Sequence, residues 1–247
     1  MRHIKDIPYG KEERNLLDIA LPEGEGPFPA AVFFHGGGLT GGDKEELRGL
    51  AEEFCAAGVA LISPNYRLYP TAAYPDFVED AAAAVEWAAK EAGERFPLRK
   101  FFIGGYSAGC YLAMMLLLDK QWLAARGLDP DDFAGFLLLS GQPTKHFEVL
   151  ARAGEDSRKI VIDETAPLYH VRSSGPPLLI MVSDEDIPNR LAQNRLLEST
   201  LAHYEYESPV IFKVMRGPRH GDFLHDNGAG HSWFGGEALP FIGKYGK

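Results

Sequence analysis

Short apolar runs recur along the chain, separated by segments with helical patterns. Six of these runs are continuously apolar rather than alternating, which is typical of strands buried on both faces of a sheet. Two further strands, at 3–9 and 14–21, are expected to pair antiparallel. The six runs lie at 29–35, 58–64, 100–106, 133–140, 177–183 and 208–215.

The segments between the runs carry helix signals at their ends. Asp43, with Glu46 three residues later, is a capping-box pattern at the start of a helix. Pro75 and Gly93 bracket a second helix, and 187–204 supplies another between the last two runs. Alternating strands and helices predict an α/β fold, in which a mostly parallel sheet has helices on both faces.

Composition narrows the class of protein. No repeat or linker-like run divides the sequence, so we expect residues 1–247 to form one domain. Apolar residues make up 45% and charged residues 24%, and the net charge of -10 argues against nucleic acid or an anionic membrane as a partner. Neither a signal peptide nor a membrane span is apparent, and Cys55 and Cys110 fit buried thiols. We therefore expect a cytoplasmic protein.

A serine between two glycines lies where a predicted strand meets a predicted helix. Gly105-Tyr-Ser107-Ala-Gly109 joins the run 100–106 to a predicted helix at 107–118, which is the arrangement of a nucleophile elbow. Glycines at these positions remove Cβ atoms that would clash in so tight a turn. The turn would hold the Ser107 hydroxyl above the sheet edge, where the Ala108 N–H can donate to an oxyanion. The pattern alone also fits a simple strand–helix turn.

A glycine-rich loop, HGGGLTGGD at 35–43, directly follows the first of the six runs. Consecutive glycines let backbone amides approach a substrate oxygen without intervening side chains. The amides of Gly37 and Gly38, with that of Ala108, are therefore the candidate oxyanion hole. Phosphate binding is a poorer interpretation, since the loop lacks both the Lys-Ser/Thr of a P-loop and the spacing of a dinucleotide loop.

A serine nucleophile needs a base, and the base needs an acid to orient it. The run 177–183 is followed by three carboxylates, and the run 208–215 by three histidines. Both loops leave the sheet at the carboxyl ends of strands, where sites in parallel sheets form. An acidic cluster is also typical of a solvated turn, a helix cap or a metal site. The candidates are Asp184, Glu185 and Asp186 for the acid and His220, His225 and His231 for the base.

These motifs, and their order along the chain, resemble those of the α/β-hydrolase esterases in the hormone-sensitive-lipase-like and small carbohydrate-esterase groups. The matching stretches are HGGG, PNYRLYPTAAYPDFVEDAAAAVEWA, GYSAG, TAPLYHV followed by PPLLIMVSDEDIP, and RHGDF, over roughly 28–225. The resemblance implies an α/β-hydrolase fold and an acyl-serine mechanism. Alignment to the family puts Asp186 at the acid position, with Asp184 as second choice. The chain departs from the family at Leu39, where the family often has a large aromatic residue, and at 182–183, where it often has a hydrophobic residue and a glycine.

Among the histidines we expect His220 to be the base. It comes five residues after the last apolar run ends, whereas His225 and His231 follow further turns. The family's pattern of a glycine-containing turn, then His and a small residue, also fits GPRHGD best. The predicted catalytic triad is thus Ser107, His220 and Asp186.

The expected function is the hydrolysis of small-molecule esters, without a metal or an organic cofactor. By resemblance the acyl group is short, or is an acetyl or feruloyl group on a carbohydrate. Two alternatives stay open: amide hydrolysis of the kynurenine-formamidase kind, and a non-catalytic ligand-binding receptor on a hydrolase scaffold. The segment 141–176 is long between two strands, so we expect either a lid or pocket wall, or a surface excursion with one helix. The sequence indicates no oligomeric state.

Overall fold

The computed structural model describes residues 1–247, and its eight strands form one sheet. The strands are β1 (Arg2–Pro8), β2 (Leu16–Leu21), β3 (Phe28–Phe34), β4 (Ala60–Pro64), β5 (Leu98–Tyr106), β6 (Gly135–Leu139), β7 (Leu178–Glu185) and β8 (Val210–Arg219). The α-helices are α1 (Arg48–Ala56), α2 (Asp76–Trp87), α3 (Gly93–Arg95), α4 (Ala108–Leu118), α5 (Gln121–Ala124), α6 (Phe147–Arg152), α7 (Arg190–His203) and α8 (Gly235–Tyr245). Three 3₁₀ turns lie at Lys44–Leu47, Pro130–Asp132 and Pro167–His170, and a π turn at Ala88–Ala92.

The strand order is β1-β2-β4-β3-β5-β6-β7-β8. The six strands from β4 to β8 in that order pair in parallel, and β2 is antiparallel to both of its neighbours. This arrangement confirms the predicted mostly parallel sheet and the predicted antiparallel pair. Because the carboxyl ends of the parallel strands meet at one edge, the loops that leave them converge there.

Helices cover both faces of the sheet. One apolar core includes Phe77 of α2, Leu197 of α7 and the whole of α4, and the other includes Phe54 of α1 and Phe241 of α8. All eleven residues of α4 are buried, as expected for a helix that is apolar all round. The residue that precedes α4 is therefore attached to the most enclosed helix of the protein.

Some element boundaries differ from the sequence prediction. The Asp43 carboxylate caps a 3₁₀ turn by accepting from the Glu45 amide at 3.0 Å, whereas the predicted capping box requires the amide of Glu46. Strand β7 continues to Glu185 and β8 to Arg219, both beyond their apolar runs. These strand ends are paired with each other, so polar side chains occupy them. The pattern of apolar residues in the sequence therefore does not show where β7 and β8 end.

Helix α8 was not predicted. It contains Pro240 and three glycines, all of which disfavour a helix interior. Its buried Ala238, Phe241 and Ile242 pack on the sheet, so tertiary contacts outweigh the weak local propensity. No helix of the protein has the length and apolar character needed to cross a membrane.

The two cysteines are unpaired and buried, as the sequence predicts. Burial raises the pKa of the Cys55 thiol to about 11 and that of the Cys110 thiol to about 12. Both therefore stay as neutral thiols that contribute packing rather than reactivity.

Candidate active site

Ser107 occupies a sharp turn between β5 and α4. Its backbone lies at φ 55° and ψ -115°, a conformation that costs a non-glycine residue about 1–3 kcal/mol. A Cβ on Gly105 would lie 2.3 Å from the carbonyl of Gly109, and a Cβ on Gly109 would lie 2.2 Å from the Phe34 oxygen. The Ser107 amide donates to the Leu139 carbonyl at 2.9 Å. The turn thus needs both glycines and is tied to the neighbouring strand.

The hydroxyl of Ser107 contacts a histidine from the far end of the sheet. Ser107 Oγ lies 2.9 Å from His220 Nε2, and His220 Nδ1 lies 2.7 Å from Asp186 Oδ1. The Asp186 side chain is only 1% exposed and that of His220 21% exposed. The structure therefore brings the three predicted triad residues into one chain of hydrogen-bond contacts.

The Asp186 carboxylate has donors on both oxygens. Besides His220, the Ile187 amide donates to Oδ1 at 2.7 Å, and the Ser140 hydroxyl donates to Oδ2 at 2.6 Å. Burial raises the pKa of Asp186, but the hydrogen bonds from His220 and Ser140 outweigh it and hold the pKa below its ordinary value. An ionised Asp186 keeps the proton on His220 Nδ1, which leaves Nε2 as the acceptor for the Ser107 hydroxyl.

Asp184, the second choice for the acid, has different partners. Its carboxylate accepts from the Gly217 amide at 2.9 Å and lies 3.4 Å from an Arg216 nitrogen. It therefore links the ends of β7 and β8 and has no hydrogen bond to His220. No group of three or more His, Cys, Asp or Glu side chains is arranged to hold a metal ion.

The other two histidines of the loop lie away from Ser107. The exposed His225 and the half-buried His231 line a cavity of about 610 Å³ between α1 and α8, together with Glu53. His231 Nδ1 is 3.0 Å from the Ser232 carbonyl oxygen. Neither histidine contacts a residue of the Ser107 site.

His220 is held in place by two aromatic rings. The Tyr106 hydroxyl donates to the backbone carbonyl of His220, and the two rings lie 5.1 Å apart between centroids. Phe223 packs edge-on against both, at 5.7 Å from His220 and 5.9 Å from Tyr106. Because β8 runs to Arg219, His220 is the first residue after the strand rather than the fifth. A short, packed connection fixes the imidazole.

The glycine loop lies directly beside Ser107. A Cβ on Gly36 would be 3.0 Å from the Tyr106 ring and 3.3 Å from the Ser107 Cβ, so a side chain there would require these neighbours to shift. Gly37 and Gly38 have φ of 104° and 63°, and the Gly37 carbonyl accepts from the amide of Gly41 at 3.0 Å. The amides of Gly37 and Gly38 donate to no group of the protein.

Ala108 supplies a third free amide. As the first residue of α4, its N–H has no partner within the helix, and the helix dipole adds partial positive charge at this end. The three amides predicted as an oxyanion hole thus belong to the two segments that flank the Ser107 hydroxyl. The arrangement can stabilise negative charge on an oxygen bound there.

Three buried residues support the glycine loop, and two of them, His35 and Tyr66, were not assigned from the sequence. His35 is fully buried, stacks on Tyr66 at 4.4 Å, and burial lowers its pKa to about 4, so it is a neutral packing residue. The Tyr66 hydroxyl donates to the His35 carbonyl at 2.9 Å and so fixes the start of the loop. Leu39 is also fully buried at φ 66°, and its carbonyl accepts from the Tyr69 amide. It belongs to the core rather than to an open acyl pocket.

The segment 141–176 contributes α6 and a 3₁₀ turn. The half-buried Phe147, at the start of α6, packs on the glycine loop, and its ring lies 3.2 Å from where a Cβ of Gly38 would be. The Tyr111 hydroxyl of α4 donates to the Thr165 carbonyl at 2.7 Å. One end of the segment therefore contacts the glycine loop at Gly38.

Parts of the chain are similar in sequence to known hydrolases. The family profile BD-FAE matches residues 17–127, which contain the glycine loop and Ser107. The carboxylic ester hydrolase LipN of Mycobacterium tuberculosis is 39% identical over 98 residues, covering 38% of this chain and 26% of LipN. Kynurenine formamidase of Danio rerio is 28% identical over 120 residues, covering 48% of this chain and 40% of that protein. The chain spans about half or less of the length of the curated relatives it matches.

The fold is also found in a solved esterase. A structure of Thermogutta terrifontis esterase 2 superposes with a TM-score of 0.78 over 98% of this chain and 94% of that one, at 21% identity. The sheet order and the strand–serine–helix turn are those of the α/β-hydrolase fold. The chain therefore has an α/β-hydrolase fold, and part of it is similar in sequence to esterases.

Proposed function

We propose that this protein is a serine hydrolase that cleaves carboxylic esters through an acyl-serine intermediate. The observation that carries the proposal is the uninterrupted chain of contacts from Ser107 Oγ through His220 to the buried Asp186 carboxylate. The amides of Gly37, Gly38 and Ala108 donate to no group of the protein, and they belong to the glycine loop beside Ser107 and to the first turn of α4. Nucleophile, base, orienting acid and oxyanion donors are the parts that acyl transfer requires.

In the first half-reaction, Ser107 Oγ bonds to the ester carbonyl carbon while His220 Nε2 takes the hydroxyl proton. The carbonyl oxygen becomes an oxyanion, which accepts hydrogen bonds from the three amides. Collapse of this intermediate breaks the carbon–oxygen bond to the alcohol, which receives the proton from His220. Asp186 stays ionised throughout, because its donors hold its pKa below the ordinary value, and it stabilises the charged imidazole.

In the second half-reaction, water attacks the acyl-serine. His220 takes a proton from the water, and the same amides stabilise the second oxyanion. Release of the carboxylic acid returns the proton to Ser107 Oγ. Each amide donor to the oxyanion contributes about 10²–10³-fold to the rate in enzymes of this type.

We propose short-acyl esters as the substrates, with acetyl or feruloyl esters of carbohydrates as the natural class. The support for short acyl groups is steric, since the Phe147 ring of the segment 141–176 packs beside Gly38, and we propose that this segment is a pocket wall. The carbohydrate esters follow from the resemblance of the sequence motifs to those of carbohydrate esterases. Structures of Thermogutta terrifontis esterase 2 have been solved with propionate and with butyrate bound. Both ligands are small carboxylic acids.

Amide hydrolysis is the second candidate, because kynurenine formamidase is among the similar proteins. The same constellation can attack a formyl carbon, with an amine in place of the alcohol as leaving group. A receptor without catalysis is the third, and it is disfavoured because the site has its nucleophile, base and acid in contact.

One panel separates these candidates. It contains p-nitrophenyl esters from acetate to dodecanoate, acetylated xylan, a feruloyl ester and N-formylkynurenine, each assayed with the wild-type chain and with Ser107→Ala. Ester turnover that Ser107→Ala lacks supports the proposal. If kcat/KM for N-formylkynurenine is higher than kcat/KM for every ester, the result favours amide hydrolysis. If no compound is turned over, the result favours a receptor.

A further inference from the structure

Ser140 lies between the strands that carry the proposed nucleophile and the proposed acid. It follows β6, and β6 pairs with β5 on one side and with β7 on the other. At the carboxyl edge of the sheet, Ser140 is therefore between Ser107 and Asp186. Its side chain is fully buried.

The backbone of Ser140 is held from both sides. Its amide donates to the Met181 carbonyl of β7 at 2.7 Å, and its carbonyl accepts from Arg190 Nη1 at 3.0 Å. Arg190 is itself buried and forms no ion pair, so Ser140 is the residue that its guanidinium contacts by hydrogen bonding. These contacts fix the direction in which the Ser140 side chain leaves the strand.

The hydroxyl of Ser140 meets both proposed partners of Ser107. It donates to Asp186 Oδ2 at 2.6 Å, and its oxygen lies 3.2 Å from His220 Nδ1. Since its proton goes to Asp186, its lone pairs can face the Nδ1 proton of His220. That proton is then shared between Asp186 Oδ1 at 2.7 Å and the longer contact with Ser140.

Ser140 has φ of 52°, a left-handed backbone that glycine adopts without strain. A serine with this φ is conformationally strained. Burial does not explain why a serine occupies the position, since a hydroxyl gains no free energy from apolar surroundings. What the side chain adds is its hydrogen bond to Asp186.

We propose that Ser140 is a positioning residue for the hydrolytic site: its hydroxyl holds Asp186 ionised, with Oδ1 turned towards His220. The inference rests on the proposed function and adds a fourth side chain to it. Without the hydroxyl, Asp186 Oδ2 becomes a buried anionic oxygen with no donor. The carboxyl then takes up a proton at higher pH and can rotate away from the imidazole.

The test compares two variants, Ser140→Ala and Ser140→Gly, with Ser63→Ala as the matched control. Both Ser140 variants remove the hydroxyl, but glycine also relieves the backbone, so a shared effect belongs to the hydroxyl. Ser63 is a buried serine on β4, two strands from β5, and contacts none of the residues named above.

We expect both Ser140 variants to lose about 10-fold or more in kcat on p-nitrophenyl acetate, the effect of one hydrogen bond to a charged group, with KM within about twofold. The acid limb of their kcat/KM profile, which the coupled Asp186–His220 pair sets, moves by about half a unit or more, because the pair loses a hydrogen-bond donor. Ser63→Ala keeps the wild-type kcat and profile. As a readout independent of turnover, the Nδ1 proton resonance of His220 in ¹H NMR shifts in both Ser140 variants.

Four outcomes are distinguishable. Wild-type kcat, profile and Nδ1 resonance in both Ser140 variants would overturn the role of Ser140 and leave the proposed function intact, provided Ser107→Ala is inactive. Loss in Ser140→Ala but not in Ser140→Gly would also overturn it. If the wild-type chain hydrolyses no ester, the proposed function fails, and the Nδ1 resonance of His220 then decides whether Ser140 positions Asp186. A shifted resonance in both Ser140 variants supports that role, and an unchanged resonance overturns it.

Discussion

His220 Nε2 lies 2.9 Å from Ser107 Oγ, although 113 positions separate the two residues in the chain. Each residue directly follows a parallel strand, Ser107 after β5 and His220 after β8. The two strands are separated in the sheet by β6 and β7, so the imidazole reaches the serine along the shared carboxyl edge. This contact is the relationship on which the proposed chemistry depends.

The histidine assignment is tested by three alanine variants. We expect His220→Ala to lose at least about 10³-fold in kcat on p-nitrophenyl acetate, because the base acts as a unit with the nucleophile. His225→Ala and His231→Ala should keep most activity, since both line the cavity between α1 and α8 instead. Thermal unfolding of all three serves as the control. An active His220→Ala beside an inactive His225 or His231 variant would contradict the assignment.

The acid assignment is tested by a matched pair of asparagine variants. Asp186→Asn should lower kcat by about 10³–10⁴-fold, since an amide in this position stabilises the wrong tautomer and no longer balances the charged imidazole. Asp184→Asn removes the carboxylate that accepts from Gly217 and Arg216, and we expect it to change kcat less than about threefold. A larger loss in Asp184→Asn than in Asp186→Asn would show that the acid is misassigned.

The sequence predicted Ser107, the glycine loop and His220 through one rule, because each follows an apolar run that forms a parallel strand. The choice among Asp184, Glu185 and Asp186 needed the family alignment. The apolar run ends before all three acidic residues, so the sequence pattern does not distinguish them. In the structure β7 extends to Glu185, which was not predicted, and Asp186 is the first residue after the strand.

Ser140 was not predicted as a site residue, although it also directly follows a parallel strand. A serine at the end of an apolar run carries no chemical signature of its own, and its role depends on a hydrogen bond across strands to a residue 46 positions away. Helix α8 was not predicted because Pro240 and the three glycines have low helix propensity, and packing on the sheet stabilises the helix instead.

Buried His35 makes the fold sensitive to acid. Burial lowers its pKa to about 4, whereas an unfolded histidine titrates near 6.5. Below the unfolded value the unfolded chain binds the proton and the folded chain does not, so stability falls as the pH drops from about 6.5 to about 4. The loss from this residue amounts to about 3 kcal/mol, with no further change below the folded pKa.

Urea unfolding at pH 7 and at pH 4.5 measures this effect. The variant His35→Gln cannot titrate, so its free energy of unfolding should fall less over this interval than that of the wild-type chain, even if the substitution lowers stability at both pH values. An equal fall in the two proteins would mean that His35 does not contribute. The exposed His203 on α7 offers the control variant His203→Gln, which should show the same fall in stability as the wild-type chain.

Phe147 should limit the length of the acyl chain. Its ring packs against Gly38 of the glycine loop, so we expect kcat/KM to be higher for acetate and butyrate than for octanoate. Phe147→Ala should raise the octanoate-to-acetate ratio of kcat/KM by about 10-fold or more, the effect of about two methylene groups in an apolar pocket. Tyr169→Ala, which changes an exposed aromatic of the same segment, is the control and should leave the ratio unchanged. A wild-type preference for octanoate would contradict the proposed wall.

The central claim is that the Ser107 hydroxyl is the group that is acylated, and covalent labelling tests it most directly. A fluorophosphonate probe reacts with a serine only where a base activates the hydroxyl and an oxyanion hole receives the phosphoryl oxygen. After labelling of the native protein, peptide mapping by mass spectrometry should place one adduct on Ser107, and His220→Ala should suppress it while Ser63→Ala does not. An adduct on another residue, or none on the folded wild-type protein, would contradict the account.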